Sequence, residues 1–312
     1  MKQIKETSIF LLMLMANILI GTTLLFFCKI TITPFHLPGF ILLTSLFYFF
    51  LRRKVTKKEI LTTIILSLLI VSLSTLISSF MFDRSSDGNT YHKDAIGVLK
   101  EGFNPVYESS VKQIKKRQDD SKTLTNYSIW TDHYAKANWI IAANFYSLTN
   151  NIESGKAMNL ISMYLVFGFI FTSLSTCMTT KKAMILALIT VLNPITASQV
   201  FTYYNDQLVC MYLFLAILFL IKLDKNINDK NSWFYYFLTF IILANMKFNG
   251  LGYLLVFSFF FVCKYLYQAY KNKNFFQVFK KLCIIFIPLF ITSLNRCVPA
   301  SGANVREFFL IS

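Results

Sequence analysis

Two stretches of this chain, Ser8 to Cys28 and Ile60 to Phe82, carry no charge along their whole length. Each is long enough to cross a hydrocarbon layer of about 30 Å at roughly 1.5 Å of helix rise per residue. Similar apolar blocks recur along the chain, which excludes a single anchor. The first block is also too long for a signal-peptide core, and no small-residue cleavage site follows it. With 55% hydrophobic residues and 33 Phe among 312 residues, the composition matches a chain that has lipid to face. The sequence therefore predicts an all-α, polytopic membrane protein forming one membrane domain over 1–312.

Nine membrane segments are expected, at about 8–28, 34–51, 60–82, 157–178, 183–201, 207–222, 232–247, 250–263 and 282–295. The seventh and eighth share the turn Lys247-Phe248-Asn249-Gly250 and read as a hairpin. Pro194 and Pro288 lie inside segments and should kink them.

The formal net charge is +16. Nucleic-acid binding would require a basic, aromatic-interleaved face in a soluble segment, and none is present. The cations lie mostly in short loops instead. Lys2, Lys5, Arg52, Arg53, Lys54, Lys57, Lys58, Lys181, Lys182, Lys264, Lys271, Lys273, Lys280 and Lys281 all fall on one side if the segments alternate. By the positive-inside rule that side is cytoplasmic, with anionic membrane lipids as partners. The expected location is the cell membrane, with a cytoplasmic N-terminus and an extracytoplasmic loop 83–156.

The six cysteines, Cys28, Cys177, Cys210, Cys263, Cys283 and Cys297, show no CxxC or Cys/His spacing. They read as small apolar side chains rather than as a zinc site or disulfide framework.

The 83–156 loop is the one sizeable polar region, and a loop this long is usually functional or disordered. Its pattern is helical. Tyr91, Ala95, Ile96 and Leu99 recur at helical spacing, with Gly102 as a stop. A second stretch runs from Asp132, a possible N-cap, through Tyr134, Ala135, Trp139, Ile140 and Ala143 to Phe145. Its aromatic residues suit the membrane interface, so both stretches are expected as amphipathic helices lying on the membrane. Residues 111–123 are polar all round.

Asp83, Arg84, Asp87 and His92 cluster where the third segment leaves the membrane. A carboxylate there can take a proton from a hydroxyl or bind a divalent cation; equally, Asp83 and Asp87 would serve simply to cap the next helix. Lys247 is an ionisable residue in an apolar block, an expensive placement that often marks function, with snorkelling to the interface as the alternative.

The stretch Asp83-Arg-Ser-Ser-Asp87-Gly-Asn-Thr-Tyr91-His92 resembles the first outer loop of GT-C-fold glycosyltransferases. Further motifs of the same proteins have counterparts in Gly102-Phe103-Asn104-Pro105, in His133-Tyr134-Ala135-Lys136 with Trp139, in Tyr204-Asn205-Asp206, and in Lys247-Phe248-Asn249-Gly250-Leu251. The last is similar also to a motif of protein O-mannosyltransferases. The likeness covers about 60–295, and the motifs keep the family's order. Ala135 stands where the family usually has Pro, and the chain is shorter than most members.

That resemblance implies a GT-C-like helical bundle. It also implies transfer of a sugar from a polyprenyl-phosphate donor to a glycan, lipid or protein acceptor on the outer face, in cell-surface polysaccharide or envelope glycan synthesis. By the resemblance, Asp87 is the first candidate general base and Asp83 the second. Lys247, His133 and Lys136 would hold the donor phosphate, and Tyr91, His92, Asn205 and Asp206 would contact sugar or acceptor. The sequence names no cofactor, and whether Asp83, Asp87 and Asp206 share a divalent cation is left open. The competing readings are a lipid-linked-sugar transporter or flippase, and a non-catalytic membrane assembly partner.

Overall fold

The computed structural model describes residues 1–53, 55–110 and 131–271. The ninth expected segment, with Pro288, Cys283 and Cys297, and the polar stretch 111–123 lie outside these residues. Every regular element among the described residues is helical. In chain order they are α1 (Lys2–Phe27), α2 (His36–Leu51), α3 (Lys57–Phe80), a π-helical turn (Gly88–His92), α4 (Lys93–Lys100) and α5 (Ala137–Thr149). A 3-10 turn (Ile152–Lys156) then leads into α6 (Ala157–Leu174). After it come α7 (Thr180–Val191), α8 (Pro194–Gln199), α9 (Asp206–Lys225), α10 (Lys230–Ala244) and α11 (Phe248–Lys271).

Five stretches are helical, long and apolar enough to cross a membrane: Lys2–Phe27, Lys57–Phe80, Ile152–Leu174, Asp206–Lys225 and Phe248–Tyr267. The chain is thus a multi-pass, all-helical membrane protein. Nine such segments are not seen among the described residues. His36–Leu51 is a shorter apolar helix, and α10 has 15 residues. The segment expected at 183–201 is two helices rather than one kinked one. Asn193 caps α8, its side chain accepting from Thr196 N–H, and Pro194 takes the first helical position, where its missing N–H costs nothing. The eighth segment is longer than expected and begins directly after Lys247.

Helix α1 is apolar on every side and is the central post. Phe10, Leu11, Leu12, Leu14, Met15, Ala16 and Ile18 have no exposed surface, and α2, α3, α5, α6 and α10 pack around it. Helices α2 and α3 are one-sided. Thr63, Ser67, Val71 and Ser78 of α3 face the bundle, whereas Leu61, Ile65, Leu69, Leu73, Leu76 and Phe80 point outward. In water such a face would be an aggregation liability; in a bilayer it is the lipid contact. Capping of α3 is reciprocal: Thr56 accepts from Glu59 N–H while the Glu59 carboxylate accepts from Thr56 N–H. This satisfies two end groups that helix geometry leaves unpaired.

The helices alternate in direction, so the loops gather at two ends. At one end, Lys2 pairs with Glu59 at 2.6 Å. Nearby, the buried Glu6 carboxylate accepts from Tyr48 Oη (2.7 Å) and from Arg52 Nε (2.8 Å). At the other, Asn104 Nδ2 donates to the Phe26 carbonyl at the close of α1.

The loop helices do not lie on the surface. Ala95, Ile96, Val98 and Leu99 of α4, and Trp139, Ile141, Ala142, Ala143 and Phe145 of α5, are buried in the main core. Trp139, expected at the interface, is 1% exposed. Asp132 is not the cap of α5, which starts at Ala137; its carboxylate instead accepts from Ser109 Oγ and Ser110 N–H. Gly102, with φ of +99°, ends α4 in the left-handed region that glycine reaches without strain.

Candidate functional site

A partly enclosed cavity of about 130 Å³ opens at the loop end, lined by Asp87, Tyr91, His92, Tyr134, Tyr204, Asn205, Asp206 and Lys247. These residues come from four separate parts of the chain: the π-helical turn, the approach to α5, the N-terminus of α9 and the turn before α11. Each is aimed by local structure.

The first group depends on Asp83. This carboxylate is fully buried, and both of its oxygens are occupied. Oδ1 accepts from Ser85 N–H (2.8 Å) and Oδ2 from Tyr203 N–H (2.9 Å). Asp83 thereby ties the segment after α3 to the segment before α9. Gly88 packs on it so closely that any Cβ there would collide with the carboxylate. The following turn widens to π geometry and presents Asp87, Tyr91 and His92 toward one space. Tyr91 Oη donates to Asp87 Oδ2 over 3.3 Å.

Trp139 Nε1–H donates to His92 Nδ1 at 2.7 Å, with both residues buried. Burial lowers the His92 pKa to about 4, against the opposing pull of Asp83 and Asp206 and with a small push from Lys247. The imidazole is therefore neutral at physiological pH. Tyr91 and Tyr134 stack with ring centroids 5.9 Å apart, and both meet Trp139 edge-on. Burial and the Asp87 carboxylate raise the Tyr91 phenol, which stays protonated.

Asn138 Nδ2 donates to Asn205 Oδ1 at 2.5 Å and so orients the start of α9. Lys247 Nζ reaches Asp206 Oδ1 at 2.6 Å. The lining carries two acidic side chains, Asp87 and Asp206, and one lysine, Lys247.

Of the residues named from sequence, Asp87, Tyr91, His92, Asn205, Asp206 and Lys247 line this one cavity. Asp83, His133 and Lys136 do not. Asp83 is fully buried, and each of its oxygens accepts from a backbone N–H. Lys136 Nζ donates to the carbonyls of Asp132 (2.7 Å) and Tyr134 (3.1 Å). Burial lowers its pKa to about 8, partly offset by Asp132. His133 is exposed, outside the lining. Among the described residues, no group of three or more His, Cys, Asp or Glu is arranged to hold a metal ion.

Sequence reasoning missed the network behind the site. Lys156 is completely buried, and its ammonium donates to Glu153 and to the Met81 carbonyl. Glu153 also pairs with Lys93 at 2.5 Å and accepts from Asp83 N–H at 3.1 Å. The available signal was a lysine three residues after a glutamate at the head of an apolar block, the spacing that brings two side chains together on a helix.

Comparison with protein-family models, with curated proteins and with solved structures finds no match to this chain.

Proposed function

We propose that this protein is a membrane glycosyltransferase of GT-C type, which moves a sugar from a polyprenyl-phosphate carrier to an acceptor hydroxyl on the outer face of the cell membrane. One observation carries the reading. Residues named from three distant motifs, Asp87 with Tyr91 and His92, Asn205 with Asp206, and Lys247, line one cavity at one end of the bundle, whereas His133 and Lys136 of a fourth motif do not.

The chemistry follows from the lining. Asp87, whose described partner is one long hydrogen bond from Tyr91, takes the proton of the acceptor hydroxyl as its oxygen bonds to the anomeric carbon. The bond from that carbon to the phosphate oxygen breaks, and the electron pair leaves with the polyprenyl phosphate. Lys247 stabilises the charge that develops there, with Asp206 as its counter-ion before the donor arrives. A single base with the leaving group opposite gives inversion at the anomeric centre.

A cavity of about 130 Å³ holds roughly four waters. Only the reacting groups fit without movement, and a whole lipid-linked sugar needs more room. Asp206, Tyr134 and Lys247, 50%, 43% and 35% exposed, are the lining side chains placed to move aside.

Orientation is part of the proposal. Cations at the opposite end, among them Lys2, Lys5, Arg52, Arg53, Lys57, Lys58, Lys181 and Lys182, support a cytoplasmic N-terminus.

The test is transfer from radiolabelled polyprenyl-phosphate sugars by protein reconstituted in vesicles. Release of polyprenyl phosphate should fall at least about a hundredfold in Asp87→Asn, the scale expected for loss of a general base. Undiminished transfer in a folded Asp87→Asn protein removes Asp87 from the reaction. Movement of labelled carrier between leaflets without transfer establishes a flippase instead.

A further inference from the structure

Within the described residues His92 makes one hydrogen bond, and it fixes which of its two nitrogens faces the cavity. Trp139 Nε1 is a donor with no acceptor capacity. Its 2.7 Å bond to Nδ1 therefore requires Nδ1 to carry a lone pair, so a neutral His92 must hold its proton on Nε2. Tyr91 packs on both His92 and Tyr134, with ring centroids 4.2 and 5.9 Å away, and is 7% exposed; the ring of Tyr134, 43% exposed, is the aromatic surface on which the C–H face of a sugar can rest.

We infer that Trp139 locks His92 as a neutral Nε2–H donor, and that this donor binds a hydroxyl oxygen of a sugar lying against Tyr134. The inference deepens the transfer reading by assigning His92 to sugar recognition and excluding it as the base. The locking part stands without that reading; the sugar part rests on the cavity being a carbohydrate site.

The charged groups around His92 are Asp83, Asp206 and Lys247. Their mixed signs leave burial and the indole bond as the controlling influences.

The experiment is nitrogen NMR of histidine-labelled full-length protein in nanodiscs. The chain has three histidines, and the His92 signals are assigned by their loss in His92→Gln. We expect an unprotonated Nδ1 and a protonated Nε2 that stay unchanged between about pH 5 and 8, a range across which an ordinary imidazole titrates. An Nδ1–H tautomer, or titration near the ordinary value, overturns the locking. Methyl glycosides of the common hexoses are then added, with inorganic phosphate as the comparison. A shift of the Nε2–H signal with a glycoside is expected. A shift with phosphate alone, or with neither probe, overturns the sugar assignment.

Trp139→Phe should restore mixed tautomers and titration in the ordinary range. Should that variant not fold, His92→Gln and His92→Asn decide the matter. Gln places an amide donor near the Nε2 position, whereas Asn offers only an acceptor to Trp139. Glycoside affinity should fall about tenfold more in Asn than in Gln, the scale of one hydrogen bond; equal affinities overturn the assignment. A glycoside-induced shift in a protein with no transferase activity would leave His92 as a sugar ligand and sink only the reaction.

Discussion

Lys247 Nζ lies 2.6 Å from Asp206 Oδ1, although the two are 41 residues apart. The contact joins the turn before α11 to the N-terminus of α9, and both side chains remain substantially exposed, at 35% and 50%. An exposed pair of this kind contributes about 0–1 kcal/mol to stability. Lys247→Gln should therefore leave the thermal unfolding midpoint in detergent nearly unchanged while lowering sugar transfer at least about a hundredfold, as loss of an electrostatic clamp on a leaving group does. A variant that loses stability and keeps its rate would make the pair structural.

The buried pair at the other side of the site should behave in the opposite way. Lys156 is fully enclosed and Glu153 nearly so. Removing one partner strands a charge, which costs about 3–5 kcal/mol. Glu153→Gln and Lys156→Met should each lower the unfolding midpoint sharply, and the double variant should lose less than their sum. Strict additivity, measured by thermal unfolding, would mean that the two do not act as one network.

Gly88 marks where packing on Asp83 leaves no room. A methyl group there would collide with the carboxylate. Gly88→Ala should displace the π-helical turn and so reduce transfer more than it reduces folded yield on size exclusion. Equal transfer by Gly88→Ala would show that the turn tolerates a shift.

Stability should fall in acid through His92. The folded protein keeps this ring neutral down to about pH 4, whereas an unfolded chain takes up a proton near pH 6.5. Its contribution is complete above about 6.5 and declines as the pH drops toward 4, because protons then bind the unfolded state preferentially. Unfolding midpoints measured across this range should drop more steeply in the native protein than in His92→Gln. Parallel curves would assign the acid sensitivity elsewhere.

Orientation is checked by cysteine accessibility in intact cells. A cysteine replacing Glu101, at the site end, should react with an impermeant maleimide from outside. One replacing Lys182, at the start of α7, should react only after permeabilisation. The reverse pattern would put the cavity on the cytoplasmic side.

Apolar blocks, charge runs and motif order made the membrane class and most of the site candidates legible before any coordinates. Such signals are local: a span needs only consecutive apolar residues, and a charged residue inside one stands out wherever the chain later travels. Hence Lys247 stood out by itself, whereas Asp87 and Asp206 were singled out by the motifs they resemble. Whether they met could not be read, since their proximity depends on how α9 and α11 pack against the turn at Gly88–His92.

The sequence by itself determined that this chain is helical and long and apolar enough in several stretches to span a membrane. Those properties follow from hydrophobicity and backbone hydrogen bonding, which act residue by residue. Only the tertiary structure decided that α4 and α5 are buried rather than laid on the surface, that Asp83 is buried while Asp87 lines the cavity, and that the Trp139 indole donates to His92. Each of these turns on which groups exclude water from one another, and that is a property of packing between segments far apart in the chain.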